Sequence, residues 1–541
     1  MRCIRRGWQR LAWVASCMVF CGIVLGHAQL PPASSPGPFR IAGVLANAVT
    51  GEPVRRGVVQ ALDTTGHAVA ASATDADGRF VLDRLAAAKY QLTASKRGFR
   101  TASYDEHDEF ATSIVTGPDQ ETTHLQFKLV PNAVLHGVVT SDDGEPVANA
   151  NVMLFKRPKH QGERVERANG TQTDDTGEYE IGDLPAGECL LAVTAEPWYA
   201  LHGSAAGKKN SALDVVYPVT YFDSTTDERA ATPIELAGGV RLKINISLHA
   251  VPSLHVSIPA PERADGSVVI PQLQRIAFGS VIDSESSGDF FGGAQGRTLE
   301  LGGVAPGHYE LTDGEPQRIV DVDLSANQQI DAAAGTTANV VSGEVRMISG
   351  LRIPEEMTLT LNRLDGGAGQ TQFATEVRGG RFSFMPMPPG EYEVLATAGD
   401  KRMPVVATAL GTKEQAGNEI ALREDRPALR VTLSGAETRI EGIAKKGGKG
   451  FAGAMMVLLP RDPAQWKALT RRDQSDSDGS FAFRDVAPGE YTAVAIEDGW
   501  PLDWTSPAVM QRYLRAGTNV PVSANAGKVA KLPGPVVVQQ R

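Results

Sequence analysis

The chain repeats one pattern of short motifs about every 100 residues. An apolar, strand-like segment opens each copy, an Asp- and Gly-rich turn leads into a strand with Phe or Tyr, and a Pro-Gly turn precedes a further strand. Self-similarity at a fixed period predicts a row of similar domains instead of one large core. The segments that carry the pattern best are 41–45 (IAGVL), 74–80 (TDADGRF), 135–139 (LHGVV), 173–179 (TDDTGEY), 304–311 (VAPGHYEL), 341–345 (VSGEV), 380–384 (GRFSF), 440–443 (IEGI), 476–483 (DSDGSFAF) and 486–491 (VAPGEY).

Each piece of the pattern has a mechanical interpretation in a β-structure. Asp-x-Asp-Gly and Asp-Thr-Gly supply the positive φ that a turn between two strands needs. The Tyr after a Pro-Gly turn begins a strand, where its ring packs and its hydroxyl finds a backbone partner. Short strands with turn signals every 8–12 residues or so are typical of β-sandwiches, and 56 Gly and 33 Pro provide the turns.

The pattern resembles the carboxypeptidase regulatory-like domain family, whose members are small transthyretin-like β-sandwiches of the carbohydrate-binding-like fold group. The resemblance is good over 40–104, 135–200 and 438–498, partial over 340–400 and weak over 250–330. It implies a fold and no catalytic activity, because the family takes its name from a non-catalytic domain attached to a metallocarboxypeptidase. Residues 217–236 look like the extension that follows such domains in secreted bacterial proteins.

The predicted fold class is all-β: about five Ig-like or transthyretin-like β-sandwiches in tandem after a signal peptide. Helical periodicity is almost absent, apart from a short helix near 506–514 with Ser506 as its N-cap. Short connectors between the domains favour a semi-rigid rod. The predicted segments are 1–28 (signal peptide), 29–38 (Pro/Ser linker), 39–130, 131–250 (with the extension), 251–335 (degenerate), 336–430 and 431–541 (with the helix).

The first 28 residues have the order of a secretory signal. Residues 1–10 are basic, 11–26 are apolar, and Gly26 and Ala28 place small residues before a cut at Gln29. A membrane anchor is the alternative, but the apolar run is short of the ~20 residues that span a bilayer. We therefore expect an exported protein, in the periplasm, on the outer-membrane surface or outside the cell, with no transmembrane segment in the mature chain.

Charge and cysteine content exclude two classes of protein. The formal net charge is −10, and no long basic run is present, which argues against a nucleic-acid partner. Cys3, Cys17 and Cys21 lie in the signal, so Cys189 alone remains and no intrachain disulfide forms. Cys189 lies in an apolar run and is predicted to be a buried hydrophobe, not a nucleophile.

The sequence contains no motif that predicts catalysis or a resident metal. HExxH, Gly-x-Ser-x-Gly, P-loop and dinucleotide fingerprints are all missing. The turns at Asp75 and Asp476 resemble the start of an EF-hand loop, but Ala86 and Ala487 occupy the position of its bidentate acid. Hairpin turns are the better interpretation, and 107–109 is interpreted as a solvated loop. We predict no enzyme activity, no metal and no cofactor.

Aromatic residues are the best ligand clue, because sugar rings stack on exposed aromatic side chains. The alternative is that these rings fill seams between domains, which we expect for Trp504. The predicted function is an exported, non-catalytic binding or scaffold protein of the bacterial envelope, with a glycan or an envelope protein as partner. The alternative is a purely structural spacer or adhesion rod without a small ligand. The candidate ligand residues are Trp198, Tyr199, Tyr221, Phe222, Trp500 and Trp504.

Overall fold

Five β-sandwiches follow one another along the chain, and we number them unit 1 to unit 5. The structure is a computed structural model. The predicted signal peptide and all but the last two residues of the predicted linker lie outside the residues it describes. The described ranges are 37–157, 165–202, 212–260, 270–285, 289–293, 296–313, 318–348, 352–364, 372–399, 401–423, 428–435, 438–523 and 528–541.

Unit 1 is a sandwich of two small sheets. Its strands are β1 (Phe39–Asn47), β2 (Val58–Leu62), β3 (Ala68–Ala73), β4 (Arg79–Leu85), β5 (Lys89–Ser95), β6 (Ala102–Ser103), β7 (Ile114–Val115) and β8 (Leu125–Leu129). One sheet has the order β4-β1-β8, and the other has the order β3-β2-β5-β6 with β7 also paired to β5. Strand β1 runs antiparallel to β4 and parallel to β8.

Unit 2 repeats this plan and adds an extension. Its strands are β9 (Ala133–Ser141), β10 (Asn151–Lys156), β11 (Glu166–Gln172), β12 (Glu178–Leu184), β13 (Gly187–Thr194), β14 (Val215–Val216), β15 (Thr220–Tyr221), β16 (Ile234–Leu236), β17 (Arg241–Lys243) and β18 (Ile246–Leu248). The sheets are β12-β9-β17, with β18 on β9, and β11-β10-β13-β15, with β16 on β13. A 3₁₀ turn covers Glu228–Ala230. Strand β14 pairs with β19 (Val251–Pro252) at the entry to unit 3.

Units 3 and 4 are also two-layered. Unit 3 contains β20 (Leu254–Ala260), β21 (Gln272–Ala277), β22 (Ser280–Glu285), β23 (Asp289–Gly293), β24 (Gly296–Val304), β25 (Gly307–Asp313), β26 (Arg318–Leu324), β27 (Gln328–Gln329), a 3₁₀ turn (Ala332–Ala334) and β28 (Thr336–Thr337). Unit 4 contains β29 (Ser342–Met347), β30 (Thr358–Arg363), β31 (Gln372–Glu376), β32 (Arg381–Ser383), β33 (Gly390–Ala398), β34 (Lys401–Met403), β35 (Val405–Leu410), β36 (Lys413–Ala416), β37 (Glu419–Leu422) and β38 (Leu429–Leu433). Strand β28 pairs with β26, and β38 pairs with β29 and β35. The last strand of unit 3 ends at Thr337, and the last strand of unit 4 ends at Leu433.

Unit 5 joins its two layers through one strand and carries the helices. It contains β39 (Thr438–Lys446), β40 (Lys449–Gly450), β41 (Met455–Pro460), a 3₁₀ turn (Pro463–Gln465), α1 (Trp466–Leu469), β42 (Arg471–Gln474), β43 (Ser480–Val486), β44 (Gly489–Glu497), α2 (Pro507–Leu514), β45 (Thr518–Val522), β46 (Val529–Lys531) and β47 (Val536–Gln540). Strand β47 pairs with both β39 and β44. Ser506 is the N-cap residue of α2, without a side-chain capping bond.

A glycine faces an aromatic residue at the same register position in four of the units. The close approach of a third segment explains the glycine in three of them: a Cβ on Gly43, Gly137 or Gly343 would overlap a backbone carbonyl oxygen, that of Leu125, Ile244 or Leu429 respectively. The aromatic ring occupies the space above the glycine and is buried in each case. The cross-strand pairs are Gly43 with Phe80, Gly137 with Tyr179, Gly343 with Phe382 and Gly442 with Phe481.

The repeated Tyr after the Pro-Gly or equivalent turn bonds back to that turn. The hydroxyls of Tyr90, Tyr309 and Tyr392 donate to the carbonyl oxygen four residues earlier, at 3.2, 2.8 and 2.7 Å. These bonds confirm the expected backbone partner in units 1, 3 and 4. Unit 5 differs, because the buried hydroxyl of Tyr491 has no hydrogen-bond partner among the described residues.

The Asp-rich turns of units 1 and 2 are held by their own carboxylates. Asp75 Oδ1 accepts from the backbone N–H of Asp77 and Arg79 at 2.9 and 2.8 Å. Asp174 Oδ1 accepts in the same way from the residues two and four positions later, both at 2.9 Å. These oxygens stabilise hairpin turns, which is the interpretation that the sequence favoured over calcium ligation.

Each unit contains its own hydrophobic cluster. Units 3 and 4 have separate clusters of buried apolar side chains: that of unit 3 lies within 254–332 and that of unit 4 within 341–433. Neighbouring units meet through smaller contacts: Val406 of unit 4 packs into the unit 5 cluster, and Ala277 of unit 3 packs on Tyr221 of unit 2. The all-β tandem-sandwich fold is therefore confirmed.

The array bends back on itself instead of forming the semi-rigid rod that the short connectors favoured. Unit 1 contacts unit 5 directly: the backbone N–H of Ser477 donates to the carbonyl oxygen of Ser113 at 2.9 Å, and Val115 N–H donates to Ser477 Oγ at 2.8 Å. Short connectors limit the distance between consecutive domains, but they do not fix the angle between them. Successive bends bring the first and last sandwiches together.

Candidate functional site

The six predicted ligand residues lie in three different environments. Trp198 is 87% exposed and Tyr199 is 37% exposed. Their rings meet edge to face, with centroids 5.7 Å apart. They follow β13 in a loop that also exposes Leu201, with 63% of its surface accessible. These rings form a surface patch, as a ligand site requires, and Trp198 fills no seam.

Tyr221 and Phe222 belong to the packing of unit 2. Tyr221 is only 4% exposed, and its ring lies 5.0 Å from that of Phe278 in unit 3. Phe222 packs against the main cluster of unit 2. The seam interpretation applies to Tyr221, since a buried ring offers no face to a sugar.

Trp500 lies in the seam between units 5 and 1. Its ring stacks on His107 with centroids 5.1 Å apart and an interplanar angle of 7°, and Phe110 lies 5.8 Å away. The sequence indicated a solvated loop at 107–109, but the structure packs part of this loop against unit 5. Asp108 in this loop accepts from Arg472 at 3.0 Å. No signal in the sequence indicated the distant partner of this loop.

Trp504 packs on the second cluster of unit 5, beside α2. The guanidinium carbon of Arg472 lies 4.7 Å from the centre of its ring. Arg472 also lies over Phe110 of unit 1, at 5.1 Å. One arginine thus links rings from both units, and Trp504 is a seam residue that also lines the cleft described below.

Buried polar side chains complete the contact between units 1 and 5. Gln474, which is 1% exposed, donates to the carbonyl oxygen of Asp105 at 2.6 Å and to Thr112 Oγ1 at 2.7 Å. Asp476 is equally buried; it pairs with Lys89 and accepts from the backbone N–H of Ser113 at 3.2 Å. Burial raises the pKa of Asp476, and the charge of Lys89 opposes that rise.

A cleft of about 1030 Å³ lies where units 1, 4 and 5 meet. Unit 1 contributes Lys89 and Phe110, unit 4 contributes Arg402, and unit 5 contributes most of the remaining polar wall. Burial raises the pKa of Asp473 in this wall to about 6. The cleft exists because the array closes, so no single repeat of the sequence contains it.

A second polar cluster joins units 2 and 3 around Asp214. His202 Nδ1 and His255 Nε2 lie 3.1 and 2.7 Å from its two carboxylate oxygens, and the Ser253 hydroxyl donates to the same carboxylate. The cluster contains the residue types of a catalytic triad in a different arrangement. Ser253 bonds to the carboxylate and not to an imidazole, so the cluster lacks the Ser–His pair that activates the hydroxyl in a triad.

The Asp214 cluster predicts an acid-sensitive seam. Burial alone would raise the Asp214 pKa, but hydrogen bonds from Ser253, His255 and His202 outweigh it and lower that pKa to about 2. Since the pKa in the unfolded chain is near 3.8, the ionised form stabilises the fold above about pH 4. This contribution, roughly 2 kcal/mol, disappears as the pH falls from about 4 to about 2.

The measurement is urea unfolding of wild type and Asp214→Asn between about pH 6 and pH 2. The free energy of unfolding should differ most above pH 4, and the difference should shrink towards pH 2. Asp143→Asn is the matched control, because Asp143 is an exposed residue. A difference between wild type and Asp214→Asn that stays constant with pH would contradict the assignment.

Three further observations limit the chemistry of the described residues. No group of three or more His, Cys, Asp or Glu among them is arranged to hold a metal ion. In the same part of the chain, no helix has the length and apolar content to span a membrane. Cys189 is buried, as predicted, and burial raises the pKa of its thiol to about 12.

Solved structures similar to this chain include Gram-positive pilins, but with low overall agreement. The minor pilin GBS52 of Streptococcus agalactiae is 12% identical, with 39% of this chain and 96% of that chain covered and a TM-score of 0.20. The shaft pilin spaA of Lactobacillus rhamnosus GG, as a point mutant, is 10% identical, with 39% of this chain and 97% of that chain covered and a TM-score of 0.21. The RrgB pilus protein of Streptococcus pneumoniae is 9% identical, with 76% of this chain and 98% of that chain covered and a TM-score of 0.17.

A family model gives the firmer result. No curated protein matches the chain. The model of the carboxypeptidase regulatory-like domain matches residues 40–130 and 134–215, which correspond to unit 1 and to most of unit 2. The resemblance inferred from the repeated motifs is thereby confirmed for this part of the chain. Residues 40–215 contain two tandem copies of the carboxypeptidase regulatory-like domain.

Proposed function

We propose that this chain is an exported, non-catalytic binding or scaffold protein of the bacterial envelope, and that its ligand is a glycan. Export rests on the order of charged, apolar and small residues in 1–28, and it places the protein in the periplasm, on the outer-membrane surface or outside the cell. The Asp214 cluster supports a non-catalytic role, because the Ser253 hydroxyl and both imidazoles bond to the same carboxylate and not to each other.

The observation that carries the ligand proposal is the exposure of Trp198. An indole that is 87% accessible costs free energy in water, because its large apolar surface stays hydrated. Tyr199 lies beside it at 5.7 Å and presents a second ring. Two adjacent rings with a free face suit the CH surface of a sugar. The fold does not need them, since neither ring belongs to a hydrophobic cluster of the described residues.

Retention on insoluble polysaccharides tests the proposal. Wild-type protein should be retained by at least one neutral or acidic polysaccharide, and Trp198→Ala should weaken that retention by about tenfold, since one ring contact is worth ~1–2 kcal/mol. The melting profile should not change, because Trp198 packs on little besides Tyr199. Met385→Ala is the matched control, because Met385 is a large apolar residue with 66% exposure in unit 4.

A scaffold without a small ligand is the second candidate, and the seams favour it. Tyr221, Trp500 and Trp504 all serve contacts between or within units. These three aromatic side chains fix the positions of the units, which is what a structural scaffold requires. Failure of every polysaccharide to retain the wild type would favour this scaffold role and remove the glycan proposal.

A further inference from the structure

The cleft between units 1, 4 and 5 has the size and the polarity of a ligand site. Its volume, about 1030 Å³, is at the upper end of the ~300–1,000 Å³ that is usual for small-molecule sites. Three units form its walls, and ligand sites commonly lie at such junctions. The volume suits a short oligomer better than a single ion.

Arginines from two units face this cleft without an acidic partner. Arg402 of unit 4 and Arg484 of unit 5 are exposed and line the cleft, and neither makes an ion pair with another described residue. Arg471 also lines the cleft and donates to the backbone carbonyls of Asp485, Ala468 and Thr470 at 3.1, 3.2 and 2.9 Å. Its guanidinium is thus held in place by neutral groups.

The positive groups are close enough to affect each other. Burial lowers the pKa of Arg471, and the nearby charge of Arg402 lowers it further, while Tyr491 and Asp485 act in the opposite direction. Like charges that repel across a seam are stabilised by an anion between them. Such an arrangement is costly for a purely structural junction, and it is useful for a site that receives a negative ligand.

The acids of the cleft are already engaged by other groups. Asp476 pairs with Lys89, Asp485 lies 3.4 Å from Lys401, and Glu109 lies 4.0 Å from Arg472. Asp63 accepts from its own turn. Asp473, whose pKa burial raises to about 6, accepts from the backbone N–H of Ala482 at 2.6 Å. The local balance near Arg402, Arg471 and Arg484 is therefore positive.

Two polar atoms on cleft-lining residues also lack a partner. The hydroxyl of Thr470 and the indole N–H of Trp504 make no hydrogen bond to any described residue. An unsatisfied buried polar group is unfavourable, and most such groups in proteins are bonded. Both atoms are themselves shielded from solvent, so they make this junction less favourable and are not counted as contacts of a ligand.

We propose that this cleft binds an acidic oligosaccharide, whose carboxylate or sulfate groups are bound by Arg402, Arg471 and Arg484. Guanidinium groups bind such oxyanions through two parallel hydrogen bonds. The whole chain carries a net charge of −10, so it repels polyanions at a distance and recognition depends on this local group of arginines. The inference rests on the proposed glycan function and names the class of glycan.

Isothermal titration calorimetry with the full mature chain tests this proposal. The probes are a purified oligogalacturonate and a neutral cello-oligosaccharide of equal length, at about 0.15 M salt to screen weak surface attraction. Oligogalacturonate should bind the wild type, and Arg402→Gln with Arg484→Gln should weaken binding by about tenfold or more. The matched control is Arg381→Gln with Arg515→Gln, which removes two exposed arginines outside the cleft and should change nothing.

Each other result overturns a defined part of the proposal. Equal binding of both probes, insensitive to Arg402 and Arg484, would leave a glycan-binding protein and remove the acidic class. If neither probe binds but polysaccharides still retain the protein through Trp198, the proposed cleft site is wrong and the glycan function stands. No binding and no retention would remove the proposed function as well. Equal loss in the control variant would show that net charge, not the cleft, is responsible.

Discussion

Replacing Gly137 by Ala should unfold unit 2 locally or cost about 4 kcal/mol or more of its stability, an effect far larger than that of most single changes. The added Cβ would overlap the carbonyl oxygen of Ile244, and the Tyr179 ring lies 3.2 Å from its position. This overlap can be avoided only if β9 moves away from the segment at Ile244. That movement also breaks the bond from the Tyr179 hydroxyl to the Ile244 carbonyl, which is 2.8 Å long.

Cys189 provides a specific probe of this effect. It lies in unit 2, it is 5% exposed, and it is the one cysteine of the chain after residue 28. Its labelling by a thiol reagent therefore reports opening of unit 2. Gly182→Ala is the control, because a Cβ there meets nothing within 4 Å. Slow labelling of Gly137→Ala, equal to that of the control, would contradict the steric argument.

Replacing Phe382 by Ala should cost about 3–5 kcal/mol of the stability of unit 4. The ring is 5% exposed and lies 5.6 Å from that of Phe384 in the same cluster. It also covers Gly343, its cross-strand partner, so truncation leaves a cavity at the centre of the sandwich. Calorimetry of the full chain should show one transition moved to lower temperature.

The same variant tests whether the cores are independent. Phe382 contacts only its own cluster, so Cys189 of unit 2 should be labelled at the wild-type rate. Met385→Ala, an exposed change in the same unit, should leave every transition in place. A single cooperative transition for all units, displaced as a whole by Phe382→Ala, would contradict separate cores.

The repeat made the fold predictable because each sandwich depends on local rules. The turns at Asp75 and Asp174, and the bond from the Tyr392 hydroxyl back to its own turn, are determined by residues within a few positions. Such patterns indicate strands, turns and buried aromatics without knowledge of the rest of the chain. They also carried the family resemblance, which the match over 40–215 confirmed.

The sequence could not predict the closed arrangement or the cleft. The bond between Ser113 and Ser477 joins residues of the first and last units, and it depends on the sum of four inter-unit angles. No periodic pattern encodes those angles. For the same reason Trp500 remained a candidate ligand residue from its position after the last strand motif, whereas the structure places it against Phe110 of unit 1. The seam expected for Trp504 is found, but its contact with Arg472 was not predicted.

The contact between units 1 and 5 is the basis of the cleft, and a disulfide between them tests it most directly. The backbone N–H of Ser477 donates to the carbonyl oxygen of Ser113 at 2.9 Å, so the two residues lie side by side, as a disulfide between their positions requires. Ser113→Cys with Ser477→Cys, in the chain that begins at Gln29, can be oxidised and compared by intact mass and non-reducing gel. The control pair is Ser113→Cys with Ser284→Cys of unit 3.

A closed array predicts a nearly complete intramolecular disulfide in the Ser113–Ser477 pair and none in the control pair. The bridged and reduced proteins should also bind ligand equally, because the bridge only fixes a contact that already exists. A double variant that stays reduced, or that crosslinks only between molecules, would show that units 1 and 5 do not meet and that the cleft does not form.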